Sequence, residues 1–270
     1  KLLKLNKIKN YSLDSELLLS KVLNYSREYL LINSNNKLEK KKFNKYKKLV
    51  FRRKNFEPIA YILNKKEFWK YNFKVNNEVL IPRPETEIVV SKLLNLTNLD
   101  SSKQILDVGT GSGCIILSIL KERPKCYGTA IDISKKALKI AKSNAKMHHL
   151  ANKIKFININ IDKFNHNKYD FIVSNPPYIK NFDIKRLEDS VRLFEPHLAL
   201  NAGIDGLSII KKLILKSKLL LKKNGKIIIE IGENQKYTAM KLLQINGFYI
   251  NNVCRDYQSY PRVLVATKSF

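Results

Sequence analysis

"QILDVGTGSGC", residues 104–114, decides the fold. Residues 104–109 form an apolar run with the character of a buried strand, and "GCIILSILKER" (113–123) has that of a helix. Between them Gly109, Gly111 and Gly113 alternate with Thr110 and Ser112. Glycines at these positions permit a tight strand-to-helix turn and let a ligand approach the backbone closely. The spacing is GxGxG, not the GxGxxG of dinucleotide sites, and no Gly-Lys-Ser/Thr follows it. The helix opens on Cys114-Ile115-Ile116, without a basic or polar phosphate clamp. Taken alone, the loop also fits a glycine-rich turn with no ligand.

Working outward, "CYGTAIDI" (126–133) is a second strand that ends in Asp132, 23 residues after Gly109. In a doubly wound sheet such an acid accepts hydrogen bonds from ribose hydroxyls. The competing reading is a helix start, since Ser134 is a candidate cap for a helix with Ala137, Ile140, Ala141, Asn144 and Ala145 on one face. The third strand, "IKFINI" (154–159), is followed by Asp162-Lys163, where a side chain would border an adenine or simply face solvent. Recognition of ribose and adenine without a phosphate cradle suits S-adenosylmethionine better than NAD.

A fourth strand, "YDFIVSN" (169–175), runs into "SNPPYI" (174–179). This turn would sit beside the first strand, at the crevice where open α/β sheets bind ligands. Asn175 ahead of two prolines is hard to explain as a plain turn, because an amide is costly to bury unpaired. It makes sense as a clamp on a planar NH2 group. Asn175 Oδ1 and the Pro176 carbonyl would accept its two N–H groups, Pro176 and Pro177 would fix the backbone angles, and Tyr178 would supply a flat wall. An amide or aromatic amine is a poor nucleophile, and two acceptors push electron density back onto its nitrogen. An already activated methyl group then needs only in-line approach at about 3 Å.

Elsewhere the chain divides into three expected parts. Residues 1–65 read as helices: Leu18, Leu19, Val22 and Leu23 share a face, Asp14 and Glu16 fall in a first turn, and Phe43, Tyr46, Leu49 and Val50 recur at helical spacing among lysines. Residues 66–83 alternate as a β-hairpin linker with its turn at Asn76-Asn77, closed by Pro82 and Pro84. Residues 84–270 continue with a helix over about 205–222, Gly225 just past its end, the strand "KIIIEIG" (226–232), a helix near 235–246, and "FYINNV" and "RVLVATK" with no room for a crossover between them. The prediction is a doubly wound, mostly parallel seven-stranded α/β sheet with one antiparallel strand.

The formal net charge of +28 ordinarily points to nucleic acid. Here it is carried almost wholly by Lys, with nine Arg among 51 basic residues, as an A+T-rich coding sequence would produce. Cys114, Cys126 and Cys254 are widely separated, with no metal spacing, and no run is apolar enough to span a membrane or serve as a signal peptide. A soluble cytoplasmic protein without a metal is expected.

"EPIAYIL" (57–63), "KEFW" (66–69), "LIPRPETE" (80–87), "IVSNPPYI" (172–179) and "FEPHLALNAGIDGL" (194–207), together with "LDVGTGSG", resemble the bacterial release-factor glutamine methyltransferases over nearly the whole chain. The resemblance implies methyl transfer from S-adenosylmethionine to the glutamine of the Gly-Gly-Gln loop in class I peptide chain release factors. It also implies a Rossmann-like methyltransferase sheet and a helical N-terminal domain that grips the factor. A monomer is expected, with nucleic acid contacted indirectly if at all. It places Gly109, Thr110, Gly111, Ser112, Gly113, Asp132, Lys163 and Asn175 at the cofactor. Asn175, Pro176, Pro177 and Tyr178 fall at the substrate amide, and Arg83 and Glu85 match the "PRPETE" block. Lys163 stands where relatives place a larger apolar residue. Two further readings are an amino-methyltransferase acting on a flipped adenine or cytosine, and a non-catalytic module that binds ribosome or RNA through its lysines.

Overall fold

The computed structural model describes residues 1–33, 36–166 and 168–269. Helices come first: Leu2–Leu5 (α1), Tyr11–Leu23 (α2), Arg27–Ile32 (α3), Lys40–Lys54 (α4) and Ile59–Leu63 (α5). Leu18 is fully buried, whereas Phe43 is 45% exposed and so lies outside any core. Asp14 does more than favour a helix start. It is buried, and its carboxylate takes Arg53 Nε at 2.6 Å, tying α2 to α4.

Next comes a short hairpin of Lys66–Phe68 (β1) and Tyr71–Phe73 (β2), paired antiparallel with Phe68 opposite Tyr71. Its turn is therefore at Trp69-Lys70, not at Asn76-Asn77 as the alternation suggests. The cause is anchoring: Trp69 takes φ +57° while its backbone N–H donates to Glu87 and its indole N–H to Glu122. Asn76 makes a local turn instead, accepting from the Glu78 N–H, and the chain then carries Val79 and Ile81 into the core.

The remainder alternates as foreseen: Glu87–Asn95 (α6), Gln104–Val108 (β3), Cys114–Glu122 (α7), Tyr127–Asp132 (β4), Lys135–Met147 (α8), Ile154–Asn158 (β5), Tyr169–Ser174 (β6), Asp189–Arg192 (α9), Ser208–Leu220 (α10), Leu221–Glu230 (β7), Lys236–Ile245 (α11), Phe248–Arg255 (β8) and Pro261–Lys268 (β9). The seven-stranded sheet has the order β5-β4-β3-β6-β7-β9-β8, and β9 alone runs antiparallel to its neighbours. Alternate residues of each strand serve opposite faces. Ile105, Phe171, Val173 and Ile228 pack with α6 and α7, while Leu106, Ile172, Ile227 and Ile229 pack with α10 and α11. Gly225 lies inside β7 rather than capping α10. Leu221 already pairs with Tyr169, and an irregularity follows before Phe171 meets Lys226.

At β3 the strand order reverses: β4 and β5 lie to one side, β6 onward to the other. The β3–β6 ladder closes at Asp107 and Val173, and Ser174 Oγ then donates to the Val108 carbonyl at 2.7 Å. The loops after β3 and β6 leave from this point in different directions, opening a crevice. Among the described residues no helix is long and apolar enough to cross a membrane.

Candidate active site

A cavity of about 400 Å³ fills the crevice. Its floor is the glycine loop, held over the end of β4 because Gly109 and Thr110 both donate to the Ile131 carbonyl, at 2.9 and 3.1 Å. Gly109 and Gly111 take φ +71° and +55°, and a Cβ at either would meet no atom within 4 Å. Positive φ favours glycine there, and the open space lets a ligand lie against bare backbone. Gly113 takes φ +82° at the start of α7, where a Cβ would press on Leu117 at 3.0 Å.

Asp132 lines the cavity with both oxygens aimed by backbone N–H groups, Gly111 on Oδ2 at 2.9 Å and Ser134 on Oδ1 at 2.8 Å. A carboxylate has about four acceptor sites, so two remain for ribose hydroxyls. Burial raises its pKa. Beneath the loop, Asp107 is wholly buried and accepts the Thr110 hydroxyl at 2.7 Å; burial pushes its pKa up to about 7. Ile133, Ile159 and Ile161 add apolar wall for a planar ring. An exposed-backbone loop, one ribose-facing acid and apolar walls fit the adenosine of S-adenosylmethionine. Lys163 does not join them. It is exposed and off the cavity, and Asn160 and Ile161 take that edge.

On the substrate side Asn175 and Pro177 line the cavity, while Pro176 and Tyr178 do not. Asn175 Nδ2 donates to Thr86 Oγ1 at 3.0 Å, and Thr86 donates to Glu230 Oε2 at 2.7 Å. With its single hydrogen spent on Glu230, Thr86 can only accept from Asn175. With Glu230 ionised, this direction leaves Asn175 Oδ1 as the free acceptor. No described group donates to Asn175 Oδ1 or to the Pro176 carbonyl. The Tyr178 hydroxyl instead stands 3.4 Å from Glu230 Oε1. Burial and the Glu230 charge push the Tyr178 pKa up, so the phenol stays a donor.

Two further segments, around Pro82 and around Pro196, line the cavity. Glu195, 3% exposed, accepts from the Ile81 N–H at 3.1 Å and from Arg83 at 2.6 Å. Tyr61 donates to the Val79 carbonyl at 2.6 Å. Together they brace Pro82 and Thr86 on one rim and Pro196 and Leu198 on the other.

A family model described as "PrmC N-terminal domain" matches residues 1–63, and one described as "Methyltransferase small domain" matches residues 85–191. The release factor glutamine methyltransferase of Buchnera aphidicola subsp. Baizongia pistaciae is 40% identical over 258 residues, which cover 95% of this chain and 92% of that protein. The chain belongs to the release factor glutamine methyltransferase family. A bifunctional methyltransferase of Rickettsia typhi is likewise 40% identical, over 282 residues. That match takes in 97% of this chain but 54% of the relative, so the chain spans about half the length of that protein. A solved methyltransferase from Pyrococcus furiosus superposes with a TM-score of 0.56 at 16% identity, over 84% of this chain and 99% of its own. That likeness speaks for the fold alone.

The geometry explains why this member of the release factor glutamine methyltransferase family carries its scattered sequence blocks together. "EPIAYIL" supplies Tyr61, "KEFW" supplies Trp69, "LIPRPETE" supplies Ile81, Arg83, Thr86 and Glu87, and "FEPH" supplies Glu195. The bonds made by Tyr61, Ile81, Arg83, Thr86 and Glu195 converge on segments that line one cavity, while Trp69 and Glu87 join the β1–β2 hairpin to the start of α6. Sequence reading misses Thr86, Glu230 and Glu195. The only signal available was an acid ending the apolar run "KIIIE", where a strand residue buried on both faces should not be charged.

Proposed function

We propose that this site transfers a methyl group from S-adenosylmethionine to the side-chain amide nitrogen of the glutamine in the Gly-Gly-Gln motif of a class I peptide chain release factor. The observation that carries the reading is the locked amide of Asn175, which leaves Oδ1 as an unpaired acceptor at the cavity wall. An NH2 group needs acceptors, and Asn175 Oδ1 with the Pro176 carbonyl provides two. Gripping both N–H groups orients the nitrogen lone pair and enriches it, which is the activation an amide lacks. When bound, the cofactor supplies a methyl carbon already activated by positive sulfur. The protein then contributes position and exclusion of water. With that group bound, the amide nitrogen would form a bond to the methyl carbon as its S–C bond breaks, leaving a neutral thioether, and the surplus N–H proton would pass to solvent.

Residues 109–113 and Asp132 hold the adenosine end, while Pro82, Thr86 and Pro196 shape the mouth through which a glutamine side chain enters. Residues 1–65, of which the N-terminal family model matches 1–63, act as the surface that grips the release factor, and residues 66–83 link it to the catalytic part. The protein acts as a cytoplasmic monomer. Incubation with labelled cofactor and a choice of release factor, DNA and RNA tests this. Mass spectrometry should place one methyl on the Gly-Gly-Gln glutamine. Label in a nucleic-acid base would replace this reading with the base-directed one.

A further inference from the structure

We propose that Glu230, acting through Thr86, sets which way the Asn175 amide faces, making Thr86 and Glu230 positioning residues of the transfer site. The inference deepens the function proposed above and rests on Asn175 Oδ1 accepting from a substrate NH2.

Glu230 closes β7 beneath the cavity and is 1% exposed, and Thr86 is 2% exposed. Neither has water to satisfy it, so their hydrogen bonds must be internal. As a carboxylate, Glu230 can only accept. Thr86 must then give it the hydroxyl hydrogen and turn a lone pair to Asn175 Nδ2, as the 2.7 and 3.0 Å separations show. Direction is transmitted along the chain, and Oδ1 faces the NH2 of the acceptor. A proton on Glu230 Oε2 reverses each link: the acid donates to Thr86, Thr86 donates to Asn175, and the amide turns. Its own NH2 would then meet the substrate NH2, donor against donor.

Such a reversal is within reach of ordinary conditions. Burial pushes the Glu230 pKa up to about 7, and Glu85 adds to the rise. Opposing it are the Thr86 hydroxyl, Arg262 on β9 and the Tyr178 phenol. Arg262 does not neutralise Glu230 by contact, because its guanidinium is engaged by Asp256 at 3.0 and 3.1 Å.

The test reads the Asn175 side-chain amide directly, by NMR of the labelled full chain with the resonance assigned through Asn175→Asp. In the wild type one Nδ2 proton should resist exchange, and the signal should move with pH about a midpoint near 7. Thr86→Ser should retain both properties. Thr86→Val, of similar shape, should lose both, and Glu230→Gln should abolish the pH response. Turnover should follow: a loss of about 10- to 100-fold in kcat for Thr86→Val with cofactor affinity unchanged, restored in Thr86→Ser, and an acid limb near pH 7 that is absent in Glu230→Gln. An amide signal in Thr86→Val that matches the wild type, or a pH response that is absent from the wild type or survives in Glu230→Gln, overturns the proposal. The amide readout needs no methyl acceptor. A release factor that stays unmethylated therefore contradicts the function proposed above and not this orientation.

Discussion

Asn175 and Thr86, 89 residues apart, meet through a single hydrogen bond of 3.0 Å in which the asparagine is the donor. That direction is the one a substrate-holding oxygen needs. If Thr86 donated, Asn175 Oδ1 would be consumed inside the protein. Because it accepts, the oxygen remains for a ligand. The clamp thus depends on a residue in the turn before α6 as much as on the Asn-Pro-Pro-Tyr segment.

Asp132→Ala should weaken S-adenosylmethionine binding by roughly 10- to 100-fold, as loss of a carboxylate that accepts hydroxyls does. Turnover at saturating cofactor should change little. Since burial raises the Asp132 pKa, affinity should also fall as pH is lowered through that raised value, because the protonated acid accepts less well. Titration calorimetry across pH checks both; unchanged affinity in the variant removes the ribose role.

Gly109→Ala separates strain from obstruction. The residue holds φ +71°, which costs a non-glycine about 1–2 kcal/mol, yet its added methyl meets no protein atom within 4 Å. The melting temperature should drop modestly while cofactor affinity falls by at least about tenfold, since the methyl occupies the ligand's space. Equal affinity in both proteins would show that the ligand does not lie against this backbone.

Stability should depend on pH in an uncommon direction. Asp107 has a folded pKa pushed up to about 7, above its unfolded value, so the folded chain holds this proton more tightly. The stabilisation is complete below the ordinary carboxylate range and is lost as pH rises toward about 7. Asp107→Asn keeps an acceptor for Thr110 and has nothing to titrate. Urea unfolding at about pH 5.5 and about pH 8 should show the variant gaining on the wild type at the higher value, by on the order of 2–3 kcal/mol. A constant difference between the two would contradict the buried-acid account.

Glu195→Ala leaves Arg83 and the Ile81 N–H without their shared partner. Breaking a buried pair costs about 3–5 kcal/mol, and Arg83, with its side chain 32% exposed, lowers the expectation to roughly 2–4. The KM for the protein acceptor should rise more than that for cofactor, because the loosened rim carries Pro82 and Thr86. Chemical denaturation and steady-state kinetics read the two effects.

Much of the fold was legible because it depends on local pattern. The apolar runs ending at Val108, Asp132 and Ser174, and the glycines 109, 111 and 113, are written in neighbouring residues, and the β–α alternation they belong to implies a mostly parallel sheet. The placement of Asp132 and Asn175 at the crevice was legible for the same reason: one ends a strand and the other follows one. What stayed hidden depends on contacts across long separations. Thr86 meets Glu230 144 residues away, and Ile81 meets Glu195 114 residues away, with nothing in either local pattern to join them. The hairpin turn at Trp69 was masked similarly, since Glu87 and Glu122 hold it from outside the hairpin. Lys163 was placed by analogy with relatives, and here Ile161, two residues earlier, takes the apolar position at the cavity.

Asn175→Ala gives the most direct test of the amide clamp, through cofactor affinity and single-turnover methyl transfer measured on the same preparation. The account predicts a transfer rate lower by about 100- to 1,000-fold, the loss of one preorganised polar contact, with the cofactor dissociation constant within about twofold of the wild type. A collapsed cofactor affinity alongside a normal rate at saturation would contradict it, and would assign Asn175 to the cofactor instead of the NH2 group.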